Sequence, residues 1–132
     1  MSVEWSESYK IGDEVVDTTQ KQLFELTNAF LASDDMMVLR PIIVSLCKQM
    51  RTHFEQEEAL MLSSDFPGRE AHSAQHQALL TRLLGRSMDV GKGYMNKPAI
   101  AALMKNWAEQ HVPQEDAVFA VFLKDHPLTN RA

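Results

Sequence analysis

Apolar residues recur along this chain at intervals of three and four rather than two, the pattern of helices with one face buried. From Asp17 to Ala32 the stripe is Leu23, Phe24, Leu26, Phe30 and Leu31, with Asp17 and Thr18 as candidate N-caps. A second stripe, from about Met37 to Leu62, contains Leu39, Ile42, Ile43, Leu46, Met50, Phe54 and Met61; Pro41 is tolerated there if it lies in the opening turn. Ser63 to Gly68 is a run of helix breakers. A third helix follows from about Arg69 to Asp89, with Ala71, Leu79, Leu80, Leu83, Leu84 and Met88 as its apolar set. Gly91-Lys92-Gly93 ends that pattern, and Pro98 opens a fourth helix through Ile100, Leu103, Met104, Trp107 and His111 to Phe122. Trp5 to Val16 has too little periodicity for a helix and is expected to be an arm packed across the others through Trp5 and Tyr9. No stretch alternates as a strand would. The pattern predicts an all-α, up-down-up-down four-helix bundle with an N-terminal arm, an architecture whose cofactor sites lie between facing helices.

Composition narrows the function classes without changing the fold. The 132 residues suit one domain, 1–132, and 45% hydrophobic with 23% charged residues is ordinary for a globular core. Thirteen basic against 18 acidic residues give a net charge of −5, with no basic cluster to neutralise phosphates, so nucleic acid is not an expected partner. Met1-Ser2-Val3-Glu4-Trp5 is unlike a secretory leader, and no apolar run is long enough to cross a membrane. The expected location is cytoplasmic, in keeping with a single cysteine, Cys47, that reads as a small core residue. The eight methionines read as pliable core filling.

The histidines carry the chemistry. Four of the five fall in patterned positions: His53 with Glu57, His72 with His76, and His111 followed by Asp116. Residues four apart on an α-helix are offset by only about 40°, so each of the first two pairs shares a face. Those faces are apolar, with Met50, Phe54 and Met61 beside His53 and Leu79, Leu80 and Leu83 beside His76. One histidine on such a face is usually a core residue with a hydrogen-bond partner. Several imidazoles and carboxylates converging in a bundle core would be costly to bury unless a metal ion organised them. Imidazole with carboxylate suits iron, manganese or zinc. His111 and Asp116, five apart, are offset by about 140° on an ideal α-helix, so both reach one metal only if Pro113 causes a kink or π-type turn. Otherwise Asp116 merely opens a restarted helix. Glu55 and Glu58 read as solvated or outer carboxylates, Glu58 lying about 100° around the helix from Glu57.

The ordered set His53-x-x-x-Glu57, His72-x-x-x-His76 and His111-x-x-x-x-Asp116 resembles the ligand pattern of the bacterial hemerythrins. Trp5, Gly12 and Asp17 in and after the arm, Leu23-Phe24, Phe54, Glu58 and Trp107 are similar to family features, so the resemblance covers nearly the whole chain. It implies two irons bridged by Glu57, Asp116 and an oxo or hydroxo group. One iron would take His72, His76 and His111, the other His53 and a histidine of the first helix, with an open position for dioxygen.

The first helix departs from that pattern. The family reads Asp-x-x-His-x-x-Leu, whereas Asp17-Thr18-Thr19-Gln20-Lys21-Gln22-Leu23 places Gln20 where the histidine belongs, and His126, beside Pro127 in the expected tail, does not replace it. A Gln amide is a weaker, harder donor than imidazole. It would weaken the second iron, open a position for water, or leave only one iron bound, and Gln20 is carried forward as a candidate weak ligand. Three functions follow: a non-haem di-iron (Fe2+/Fe3+) binder of dioxygen acting as carrier, store or sensor; an iron enzyme acting on peroxide or nitric oxide; or a structural or signalling module poor in metal.

Overall fold

The computed structural model describes residues 2–126, whose regular elements are all helical, with no strand among them. A single 3-10 turn (Glu7–Tyr9) interrupts the arm. Three long helices follow: α1 (Glu14–Leu31), α2 (Met36–Ser63) and α3 (Arg69–Gly91). The fourth rod consists of α4 (Lys97–Asn106), a π-helical stretch (Trp107–Asp116) and α5 (Ala117–Asp125), with helical backbone angles at both junctions. Sequential helices pack together, and α1 closes the ring against α4, as expected for an antiparallel bundle with short connections. The single-domain expectation spans 1–132; Met1 and 127–132, including Pro127, lie outside the described residues.

Side-chain caps set three of the starts. Asp13 accepts the Val16 N–H, Asp35 that of Met37, and Asn96 that of Ala99, each supplying an acceptor to an amide with no partner inside its helix. This corrects the N-cap expected at Asp17 or Thr18: α1 begins earlier, and Asp17 is instead a buried acceptor for the backbone N–H groups of Ile11 (2.7 Å) and Gly12 (3.2 Å). Gly12 has a φ of +100°, a region that residues with a Cβ rarely adopt, and the two amides flank this bend beside the carboxylate. Pro41 lies a full turn inside α2, not in its opening turn, and it is on the exposed side, where water can satisfy the carbonyl left without an amide donor.

Two apolar clusters fill the bundle. The larger includes Leu23, Phe24, Leu46, Met50, Phe54, Leu83, Met104 and Trp107; the smaller is Ile11, Val16, Leu60, Met61, Phe66 and Phe119. Burying each large side chain contributes roughly 1.5–3 kcal/mol. Cys47 sits in the larger cluster, as expected, and burial pushes its thiol up. Met50, Met61 and Met104 are core filling, but Met37 and Met88 are exposed. On α1, α2 and the fourth rod a buried polar residue falls between the stretches serving the two clusters, Gln20, Glu57 and Asp116 respectively, and His76 on α3 and His111 on the fourth rod reach the same level. The bundle therefore contains a buried polar layer between two oily ones.

Candidate metal centre

Glu57, His72, His76, His111 and Asp116 are all buried, and one donor atom from each lies within 4.8 Å of every other. Glu57 is central. Its Oε1 is 2.8 Å from His72 Nε2 and 3.3 Å from His76 Nε2, while Oε2 faces His53 Nε2 at 3.6 Å. Asp116 Oδ1 is 2.9 Å from His72 Nε2 and 3.1 Å from His111 Nε2. The π-helical stretch makes the last contact possible. Its i to i+5 hydrogen-bonding repeat brings residues five apart close to one face, and Pro113 lies inside it. The expected irregularity is present, and Asp116 joins His111 at the centre rather than simply opening a new helix.

These atoms are close, yet none is aligned with another in hydrogen-bonding geometry. Nε2 of His53, His72, His76 and His111 and both carboxylate oxygens of Glu57 and Asp116 are buried without a hydrogen-bond partner. Orphaned buried polar atoms each cost about 1–3 kcal/mol, and charged ones cost more. Eight in one layer, aimed at a common space, form a donor set rather than a network. Nitrogen and oxygen donors at this spacing fit a divalent or trivalent cation.

The outward-facing ring nitrogens are held elsewhere. His76 Nδ1 donates to Glu58 Oε2 at 2.9 Å, and Ser73 Oγ donates to Glu58 Oε1 at 2.6 Å. His53 Nδ1 pairs with Thr19 Oγ1 at 2.7 Å. The Glu58 carboxylate accepts, which fixes the tautomer of His76 and leaves its inner nitrogen with a lone pair for a metal, while the Thr19 hydroxyl holds the His53 ring in place. Phe54 stacks on His76 at 3.8 Å and 4°, and Trp107 meets His53 edge-on at 5.9 Å. Electrostatics divides the histidines. Burial alone would lower His72, but the nearby Asp116 and Glu57 carboxylates outweigh it and raise the ring to about 9. Burial dominates at His53 and lowers it. Glu57 is itself buried, which opposes ionisation, but its neighbours His72 and His76 prevail and hold the carboxyl well below its usual range.

The family profile described as the Hemerythrin HHE cation binding domain matches residues 12–123. This chain belongs to the hemerythrin family. Bacteriohemerythrin of Ralstonia nicotianae is 24% identical over 123 residues, 92% of this chain and 88% of that protein. Myohemerythrin of Sipunculus nudus is 25% identical over 112 residues, 85% and 86% of the two chains.

Against the hemerythrin pattern, the structure brings His72, His76, His111, Glu57 and Asp116 into one set and sets His53 at its edge, with Glu57 the one carboxylate within 4 Å of its ring nitrogens. Gln20 is buried in the same layer, but its amide faces the arm: Oε1 accepts from Trp5 Nε1 (2.9 Å) and Nε2 donates to the Tyr9 carbonyl (3.0 Å). His126 pairs through Nδ1 with the Phe122 carbonyl, away from the set. Sequence reasoning missed Thr19 and Ser73. A hydroxyl one turn from a buried helix face was the only signal for the first, and nothing in the local pattern marks the second.

Proposed function

We propose that this hemerythrin-family chain binds iron through His72, His76, His111, Glu57 and Asp116, with His53 marking a second, weaker position, and that the centre serves reversible binding of dioxygen or a related small diatomic ligand. The observation that carries this reading is the group of eight buried donor atoms without hydrogen-bond partners. A protein interior pairs nearly all such atoms unless something else occupies the space they face. The donor chemistry supports iron, which imidazole and carboxylate accommodate together, and the family description names cation binding.

Bound iron would supply a change of oxidation state that no side chain can. The chain's own residues supply the rest. The three rings with Glu57 and Asp116 provide a donor set that is almost dry, so small charges there are weakly screened. Glu58 and Thr19 hold the outer nitrogens of His76 and His53. Phe54 and Trp107 wall the rings with aromatic surface, which restricts bulk water around any exchangeable position.

Anaerobic reconstitution with ferrous iron, removal of excess, elemental analysis and an optical titration with air test this reading. Iron should be retained, with an absorption change that reverses on degassing. Failure of the purified chain to retain iron would overturn the proposal; irreversible bleaching with peroxide or nitric oxide turnover would replace the carrier reading by the enzyme one.

A further inference from the structure

Gln20 differs from its layer-mates in one respect: its polar ends already have partners. The arm is clasped along α1 by three side chains. Asp17 takes the Ile11 and Gly12 amides, Gln20 takes the Trp5 indole and the Tyr9 carbonyl, and Asn28 accepts the Val3 N–H at 2.7 Å while donating to the Val3 carbonyl at 2.9 Å. Positions 17, 20 and 28 fall within about 80° of one another around an ideal helix. Gln20 is thus the middle member of a polar stripe that faces the arm. Turning its amide toward His53 would leave the indole N–H of Trp5 and the carbonyl of Tyr9 without these partners.

We propose that Gln20 serves the arm and not the metal, so that the centre takes one tightly held cation in the His72, His76, His111, Glu57 and Asp116 set, and a second cation beside His53 only in competition with the clasped arm. This rests on the reading of that set as a metal site. His53 supports it: within 4 Å the ring meets a single carboxylate oxygen, at 3.6 Å, and its other nitrogen is taken by Thr19. One imidazole and shared carboxylates make a poor cage without a donor from α1. Because binding free energies are reciprocal, whatever frees Gln20 from the arm favours the second cation, and a second cation loosens the arm.

The test uses the full chain, freed of metal and titrated anaerobically with ferrous iron alone, with bound iron counted after desalting and arm protection followed by hydrogen exchange at the Val3 and Ile11 amides. The wild type should retain about one iron per chain with the arm still protected, since a site lacking a donor loses its metal on desalting. Gln20→Leu should retain the same amount while arm exchange accelerates. Gln20→His should retain about two, an imidazole restoring the missing donor. Two irons held equally tightly by the wild type, falling to one in Gln20→Leu, would make Gln20 a ligand and overturn the inference. Unchanged arm exchange in Gln20→Leu would overturn it as well. No iron in either the wild type or Gln20→His would instead overturn the metal reading on which it stands. Should Gln20→His fail to fold, the wild type and Gln20→Leu still decide between clasp and ligand.

Discussion

The two sides of the polar layer differ in what their buried groups lack. On the side of α3 and the fourth rod, three ring nitrogens crowd against the Asp116 carboxylate and against Glu57, which reaches across from α2, and none of these inner atoms has a hydrogen-bond partner. On the side of α1 and α2, His53 faces one carboxylate oxygen within 4 Å, and the α1 residue of that layer, Gln20, is paired at both ends of its amide with Trp5 and Tyr9. Burial is nearly equal on the two sides. Partnership separates Gln20 from the rest of the layer: the orphaned atoms, His53 Nε2 among them, mark a place prepared for something else, whereas the paired amide of Gln20 marks a structural joint.

Glu57 spans both sides, so altering it gives the largest effect. Glu57→Gln keeps the shape but removes the charge and one acceptor, and metal affinity measured by calorimetry should fall by more than the roughly 10–100-fold typical of losing an outer partner of a ligand. A fall no greater than that would mean the three histidines hold the cation without the shared carboxylate. Glu58→Gln tests one side only. Glu58 touches His76 but no inner atom, and its side chain is 32% exposed; affinity should therefore drop about 10–100-fold with little change in melting temperature. Thr19→Val tests the other side and should be milder still. Loss of the hydroxyl that holds His53 Nδ1 should cost about 1 kcal/mol of stability in denaturant unfolding and leave the tight cation's affinity unchanged. A large drop in that affinity would show that His53 belongs to the first centre, and the division of the layer would fail.

Much of this was legible from the chain because helical periodicity and ligand spacing are local. His53 with Glu57, and His72 with His76, share a face by helix geometry alone, and Pro113 announced the irregularity that brings Asp116 to His111. What escaped depends on contacts between helices. The sequence marks Glu58 as a solvated or outer carboxylate, but not which histidine it holds: the offset from Glu57 around α2 carries it to His76 on α3. Asp17 has the residue type of an N-cap, but Asp13 takes that role because the arm's bend at Gly12 presents two amides to Asp17. Gln20 was visible as a departure from the family's histidine; its commitment to the arm was not, since Trp5 and Tyr9 approach it from outside any repeating element.

The test that compares the sides within a single molecule, without any substitution, is the pH dependence of the metal-free protein. His72 is raised to about 9 from an ordinary 6.5, so the folded state binds its proton more tightly than the unfolded state. That contribution is complete below 6.5 and is lost as pH rises through about 9. His53 works in the opposite sense. Its folded value is depressed, so unfolding gains a proton below 6.5 and stability is lost as pH falls there. Glu57, held low, adds a further loss below its ordinary 4.5. The metal-free chain should therefore be most stable near 6.5, weakened on the alkaline side by His72 and on the acid side by His53 and Glu57. A cation must displace the His72 proton, so its apparent affinity should rise with pH up to about 9, and the loaded protein should lack the alkaline decline. Melting curves of both forms at successive pH values check this. A metal-free protein equally stable from 6.5 to 9 would show that His72 is not held protonated by Glu57 and Asp116, and the electrostatic contrast between His72 and His53 would have to be given up.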